Sequence, residues 1–216
     1  MSVKIHKDTV SILLWDQLKV LMQMPILEPF RLMDGTALSL LIGHRMSMDI
    51  DLFTDLKYGS VDFKKIYRKL KTEFGYVSPE KWMNETMGNS CFIGDVKTET
   101  IKLDVFYCDE FKFPIVDIEK IRISSIEEII AMKLDIIARD SGGRKKDFWD
   151  IHALMDEYKL SQMLDFYEER YPYIHSRKEI KKGLTNFANA DQEPDPICLL
   201  GKKWELIKLD FEEFME

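Results

Sequence analysis

The sequence predicts an α/β (α+β) chain, with a small sheet built from its first half and helices packed against it and following it. Three observations predict this. A strand–helix–strand pattern occupies residues 30–53, and three strand-like runs lie between Tyr76 and Tyr107. From Ser124 onward, apolar residues recur at helical spacing. No internal repeat and no low-complexity tract interrupts the pattern.

Taken in order, Val10, Leu13, Leu14, Leu18, Leu21 and Met22 recur at helical spacing and predict an amphipathic first helix that stops before Pro25. Phe30-Arg31-Leu32-Met33 is a short strand candidate that delivers the chain to Gly35. The run Ala37, Leu38, Leu40, Leu41, Ile42 then reads as a short helix opened by Gly35-Thr36. Free backbone N–H groups and the positive dipole end at such an N-terminus suit a phosphate.

Asp49 and Asp51 follow, flanked by Met48, Ile50 and Leu52. In a strand, side chains at i and i+2 share a face, so both carboxylates point one way while the apolar residues bury the other side. Carboxylates held this close raise each other's pKa unless a cation lies between them. A divalent ion that prefers hard oxygen ligands, Mg²⁺ or Mn²⁺, is the natural occupant. A phosphate cradle feeding a metal-binding carboxylate pair is an arrangement for phosphoryl or nucleotidyl transfer. The bland alternative is a solvated Asp-x-Asp on an edge strand.

Val61 to Phe74 returns to helix, with Phe63, Ile66, Tyr67, Leu70 and Phe74 apolar and Lys64, Lys65, Arg68, Lys69 and Lys71 on the other face. That basic face is either simply solvated or a contact for an RNA backbone, and salt-sensitive binding distinguishes the two. Gly88-Asn89 and Gly94-Asp95 read as turn signals within the next three runs. In the last run Ile101, Leu103 and Val105 face one way and Lys102, Asp104 and Phe106 the other. Asp104 taken alone is an ordinary strand aspartate. Ser124-Ser125-Ile126-Glu127-Glu128 opens a helix with acidic residues in its first turn. Its apolar stripe is Ile126, Ile129, Ile130, Leu134 and Ile137, and Lys133 sits beside or within it. A lysine there pairs with a carboxylate, snorkels to solvent or serves a ligand phosphate. Ser141-Gly142-Gly143 ends that helix, and Arg144 to Leu154 forms the next, with Asp147, Asp150 and Leu154 on one face. The tail reads as helices at Leu160–Tyr167, Lys178–Phe187 and Trp204–Phe214, with a loop at Pro194-Asp195-Pro196.

Composition narrows the classes. The 216 residues, 45% hydrophobic and 32% charged, suit one or two soluble globular domains. A net charge of −7 argues against coating nucleic acid with the whole surface but leaves room for local basic patches. Cys91, Cys108 and Cys198, odd in number and widely spaced, fit a reducing cytoplasm without a disulfide framework or zinc site. No segment reads as membrane-spanning, and Met1 to Lys7 lacks a signal-peptide layout, so the expected location is cytoplasmic.

Gly35-Thr36-Ala37-Leu38, Gly43-His44-Arg45, Ser47 and Asp49-x-Asp51-Leu52-Phe53 together resemble the signature of the nucleotidyltransferase superfamily. Within it they look like the AbiEii family, the nucleotidyltransferase toxins of type IV toxin–antitoxin and abortive-infection systems. The Lys133 helix followed by Lys146-Asp147-Phe148-Trp149-Asp150-Ile151 resembles a further motif of that family, as does Leu184 to Ala190 with the Pro-Asp-Pro loop. Two positions depart: Asp34 stands where the family usually has the first glycine of Gly-Gly-Thr, and Lys146 where arginine is usual.

The resemblance implies a nucleotidyltransferase fold: a small mixed β-sheet flanked by helices in a core domain, residues 1–120, and a helical C-terminal domain, residues 121–216, closing the active-site cleft. It implies an enzyme that moves a nucleoside monophosphate from an NTP to an acceptor hydroxyl, with Mg²⁺ or Mn²⁺. Asp49 and Asp51 would bind the metal, with Asp104 as third ligand or as base. Gly35, Thr36 and Ser47 would bind the nucleotide. Lys133 would neutralise its phosphate charge, and Asp147 or Asp150 would orient that lysine or touch base or ribose. A structural Lys133–Asp pair joining two helices is the competing reading. The implied acceptor is tRNA or another RNA, and the implied partner an antitoxin protein. Two alternatives remain open: a small-molecule, antibiotic-type nucleotidyltransferase, and a nucleotide-binding module without turnover, which Asp34 favours.

Overall fold

Ser11 starts the first helix, α1 (Ile12–Gln23), by accepting a hydrogen bond from the Leu14 backbone N–H at 3.0 Å. The helix ends at Met24, before Pro25, as its apolar spacing predicts. Carbonyls left over around its end and in the Pro25–Leu27 turn are taken by one side chain: Arg122 donates to Met22, Leu27 and Phe30 at 2.9 Å each. The computed structural model describes residues 4–215, so the first three residues of the Met1–Lys7 stretch lie outside the described residues.

The strands are β1 (Arg31–Leu32), β2 (Asp49–Thr54), β3 (Tyr76–Val77), β4 (Gly88–Val96), β5 (Glu99–Tyr107), β6 (Ile115–Ile118) and β7 (Ile121–Ser124). They form a single mixed sheet in the order β3-β4-β5-β2-β1-β7-β6, with β2–β5 and β1–β7 parallel and the other pairs antiparallel. The mixed sheet matches the expected fold class. Two turn signals read differently. Gly88-Asn89 is no turn: Gly88 begins β4, and glycine suits it because a Cβ there would collide with the Phe106 ring. Gly94-Asp95 marks a register shift within β4, and the chain turns after Val96. The β6–β7 hairpin has no sequence signal at all. Its turn is made by Glu119 and Lys120, both at positive φ (52° and 65°), where glycine or asparagine is the usual mark. The expected boundary at 120/121 falls in that turn, inside the sheet.

Helix α2 (Asp34–Ile42) is buried from Gly35 to Leu41 and connects β1 to β2. Helix α3 (Phe63–Glu73) buries Phe63, Ile66 and Leu70 against the β3–β4 edge and exposes Lys64, Lys65, Arg68, Lys69 and Lys71. The second half is helical: α4 (Ile126–Ala138), α5 (Lys145–His152), α6 (Leu160–Arg170), α7 (Arg177–Leu184) and α8 (Trp204–Phe214). Ser125 caps α4, which stops at Ala138, three residues before the expected Ser-Gly-Gly. Buried Arg170 of α6 pairs with buried Glu128 of α4, and Glu128 also accepts from the Lys112 and Phe113 backbone N–H groups. Phe148, Phe187, Trp204 and Phe211 form an edge-to-face aromatic cluster that seats α8 on α5. No helix among the described residues is long and apolar enough to cross a membrane.

Candidate active site

Strands β2 and β5 run parallel with Asp49 opposite Lys102 and Asp51 opposite Asp104. Paired positions on neighbouring strands share a face, so Asp49, Asp51, Lys102 and Asp104 stand together while Ile50, Leu52, Leu103 and Val105 are buried. The sequence pattern had placed the three aspartates correctly on their strands; the register brings them side by side. Asp51 is buried, whereas the Asp49 and Asp104 side chains are 29% and 14% exposed. Burial first, then the carboxylates of Asp34, Asp49 and Asp104, push the Asp51 carboxyl well above the usual range, and Lys146 offsets this in part. Asp104 Oδ2 accepts from Lys102 Nζ at 2.6 Å, while its buried Oδ1 has no hydrogen-bond partner among the described residues. Crowded carboxylates with an oxygen left over are a donor set that a hard divalent cation fits.

Helix α2 fixes the start of β2. Thr36 is fully buried and its hydroxyl donates to the Asp49 carbonyl at 2.5 Å, so the Ser47 hydroxyl 2.7 Å away donates to Thr36 in turn. Gly35 is buried against Arg45; any Cβ there would run into the guanidinium.

A second polar centre lies between α2, α4 and α5. Lys133 is 1% exposed and its ammonium meets three carboxylates: Asp34, Asp147 at 2.7 Å and Asp150 at 2.8 Å. Arg45 holds both oxygens of Asp150, at 2.6 and 2.8 Å, and His44 Nε2 lies 2.7 Å from the same carboxylate. Burial opposes a charge on Asp150, yet Arg45, Lys133 and the His44 hydrogen bond keep its pKa well below the usual value. Arg144 donates to both oxygens of Asp147 at 2.8 and 2.9 Å and reaches Asp34 at 3.4 Å. Asp34, Asp147 and Asp150 have carboxylate oxygens within 4.8 Å of one another. That space is taken by the Lys133 ammonium, whose three N–H donors match the three carboxylates. Lys133 is thus engaged as the joint between α4 and α5, together with Asp147 and Asp150.

Asp34 links the two centres. It has φ +54°, a left-handed conformation that aspartate tolerates better than most residues and glycine best. Burial would raise its pKa, but Lys133 and Arg144 bring it down to about 2.

Beside Asp49 opens a cavity of about 450 Å³, bordered by Ser47, Asp49, Lys102, Lys146 and the Glu193-to-Ile197 segment. That segment is held against the core by backbone hydrogen bonds from Met46 N–H to the Ile197 carbonyl and from Leu199 N–H to the His44 carbonyl. Sequence reasoning singled out the aspartates and Lys133 but not Lys102, Arg45, His44 or Arg144 as members of these centres. Lys102 carried a signal, since it precedes Asp104 by two on the same strand face. Arg45 and His44 stood within the signature, but spacing could assign them no role, because their partner Asp150 is over a hundred residues away.

The family model described as "Nucleotidyl transferase AbiEii toxin, Type IV TA system" matches residues 28–216. An uncharacterized Aquifex aeolicus (strain VF5) protein is 28% identical over 188 residues, 82% of this chain and 83% of its own length. The fold is similar to that of JHP933 from Helicobacter pylori, with a TM-score of 0.59 at 19% identity over 93% of this chain and 88% of that one. A second H. pylori structure, of a candidate nucleotidyltransferase, gives a TM-score of 0.57 at 20% identity over 93% and 91% of the two chains.

Proposed function

The chain belongs to the AbiEii nucleotidyl transferase toxin family of type IV toxin–antitoxin systems, and on that premise we propose that it moves a nucleoside monophosphate from an NTP to the hydroxyl of an RNA acceptor at the Asp49–Asp51–Asp104 edge. The observation that carries the reading is the β2–β5 register, which sets Asp51 against Asp104 with Asp49 on the same face, beside a cavity large enough for part of a nucleotide.

Asp49, Asp51 and Asp104 would hold Mg²⁺ or Mn²⁺. Bound there, such an ion supplies charge neutralisation at the triphosphate and polarises the α-phosphorus. Asp51 gains most from a cation, since burial and three neighbouring carboxylates disfavour its charge. Asp104 Oδ1, free of any partner, is the group that would accept the proton of the attacking hydroxyl or complete the cation's ligands. As the bond from the acceptor oxygen to the α-phosphorus forms, the bond from that phosphorus to the bridging oxygen breaks and pyrophosphate leaves. The first turn of α2, with Gly35 and Thr36, and Ser47 beside it, would orient the phosphates by holding Asp49 in place. Lys133, Asp147 and Asp150 act as positioning residues: they lock α4 to α5 and, through Arg45, support α2. From the C-terminal half, Lys146 of α5 and the Glu193-to-Ile197 loop border the cavity, which supports the reading that this half closes the cleft. The exposed basic face of α3 favours RNA over a small-molecule acceptor, and an antitoxin is the partner the family name points to.

The test is label transfer with Mg²⁺, each α-labelled NTP in turn and a total tRNA pool, using Asp51→Ala as control. Label should enter RNA with the wild type alone. Intact NTP binding with no label in RNA would move the reading to a small-molecule acceptor or to a module without turnover.

A further inference from the structure

The cations of the second polar centre are already committed. Lys133 is surrounded by three carboxylates, Arg45 holds both oxygens of Asp150, and Arg144 holds both oxygens of Asp147. Lys145 is buried and paired with Asp195 at 2.9 Å. A phosphate could reach Lys133 only by displacing a carboxylate, and stripping a partner from a buried pair is strongly unfavourable.

Lys102 and Lys146 are different. Both border the cavity beside Asp49, one from β5 and the other from the first turn of α5. Their side chains are 45% and 30% exposed. Lys102 pairs with Asp104 at 2.6 Å, and Lys146 stands 3.9 Å from Asp49 Oδ2, beyond hydrogen-bond reach. Ion pairs this exposed contribute little and exchange readily for a better partner.

We propose that Lys102 and Lys146 are the phosphate-binding residues of this site, receiving the β- and γ-phosphates of the nucleotide in the cavity beside Asp49. This rests on the nucleotidyltransferase reading above and deepens it. In this arrangement the two ammonium groups flank the carboxylates on which the α-phosphate is worked, and they carry the charge that accumulates on departing pyrophosphate. Lys133 remains inside the protein throughout.

The experiment is equilibrium dialysis of labelled NTPs and of the matching NMPs, in Mg²⁺ and without acceptor, on the wild type, Lys102→Gln, Lys146→Gln and the double variant. Lys102 is exposed and Lys146 half-buried, and neither holds a fully buried partner, so unchanged melting temperatures are expected. Each single variant should weaken NTP binding about tenfold, while NMP binding, which lacks the β- and γ-phosphates, stays within twofold. An unchanged NTP affinity in the double variant overturns the proposal and leaves the nucleotidyltransferase reading standing. Equal losses for NTP and NMP also overturn it, because the lysines would then act on the α-phosphate or through the carboxylates. A wild type that binds no NTP at all removes the site reading itself, and this proposal with it.

Discussion

At the scale of single residues, Asp51 and Asp34 are carboxylates displaced in opposite directions by their surroundings. Asp51 is buried among other carboxylates and its pKa is pushed up. A carboxyl that binds its proton more tightly folded than unfolded adds stability at low pH and loses it as pH rises through the raised value. Without metal, Asp51→Asn should therefore raise the melting temperature at neutral pH relative to wild type, with the gap closing near pH 4, while abolishing label transfer. A lower melting temperature for the variant at neutral pH would contradict this. Asp34 is brought down to about 2 from 3.8, so its stabilisation is present above about pH 4 and fades as pH falls toward 2. Its positive φ adds a separate strain. Asp34→Gly and Asp34→Ala both lose the ion pairs to Lys133 and Arg144, but only glycine relieves the backbone. Chemical denaturation should find the glycine variant more stable than the alanine variant by about 1 kcal/mol.

At the scale of elements, the joint between α4 and α5 is electrostatic at its centre and apolar around it. Lys133→Met keeps the volume but leaves Asp147 and Asp150 facing each other with one cation fewer. Breaking a buried pair in this way costs about 3–5 kcal/mol, and the loss should appear in urea denaturation at pH 7. Arg45 and Arg144 moderate but do not remove it. If Lys133→Met proved as stable as wild type with NTP binding lost, Lys133 would be a phosphate ligand and not the joint. Helix α2 depends on the same centre: Asp150 fixes Arg45, Arg45 packs on Gly35, and Thr36 then pins β2 through the Asp49 carbonyl. That chain of contacts carries α5 packing to the carboxylates.

At the scale of the whole molecule, an acidic protein presents a concentrated basic helix face on α3. If α3 guides RNA, charge reversal at Lys64, Lys65, Arg68 and Lys69 should reduce transfer to tRNA several-fold at low salt, with the difference shrinking as salt rises. Binding of NTP should not change. A loss independent of salt, or no loss, would leave that face merely solvated and point to a small acceptor. The fold brings the C-terminal Glu193–Ile197 segment against His44–Met46, so residues far apart in sequence wall one cavity.

The sequence by itself determined the helices, the strand on which Asp49 and Asp51 share a face and the alternation that puts Asp104 on the exposed side of β5, because periodicity and capping are local physics. Apolar spacing placed α1, α3 and α4 to within about three residues at their ends, and the motif wording pointed to the family that the match over residues 28–216 establishes. Tertiary structure alone decided what depends on long-range partners. The β6–β7 hairpin was invisible because Glu119 and Lys120 adopt positive φ without glycine. Spacing could not show that Lys133 meets three carboxylates, because one of them, Asp34, comes from α2, far earlier in the chain. Alternation put Lys102 on the face of Asp104, but only the β2–β5 register set it opposite Asp49, because pairing register is a property of two strands and is written in neither.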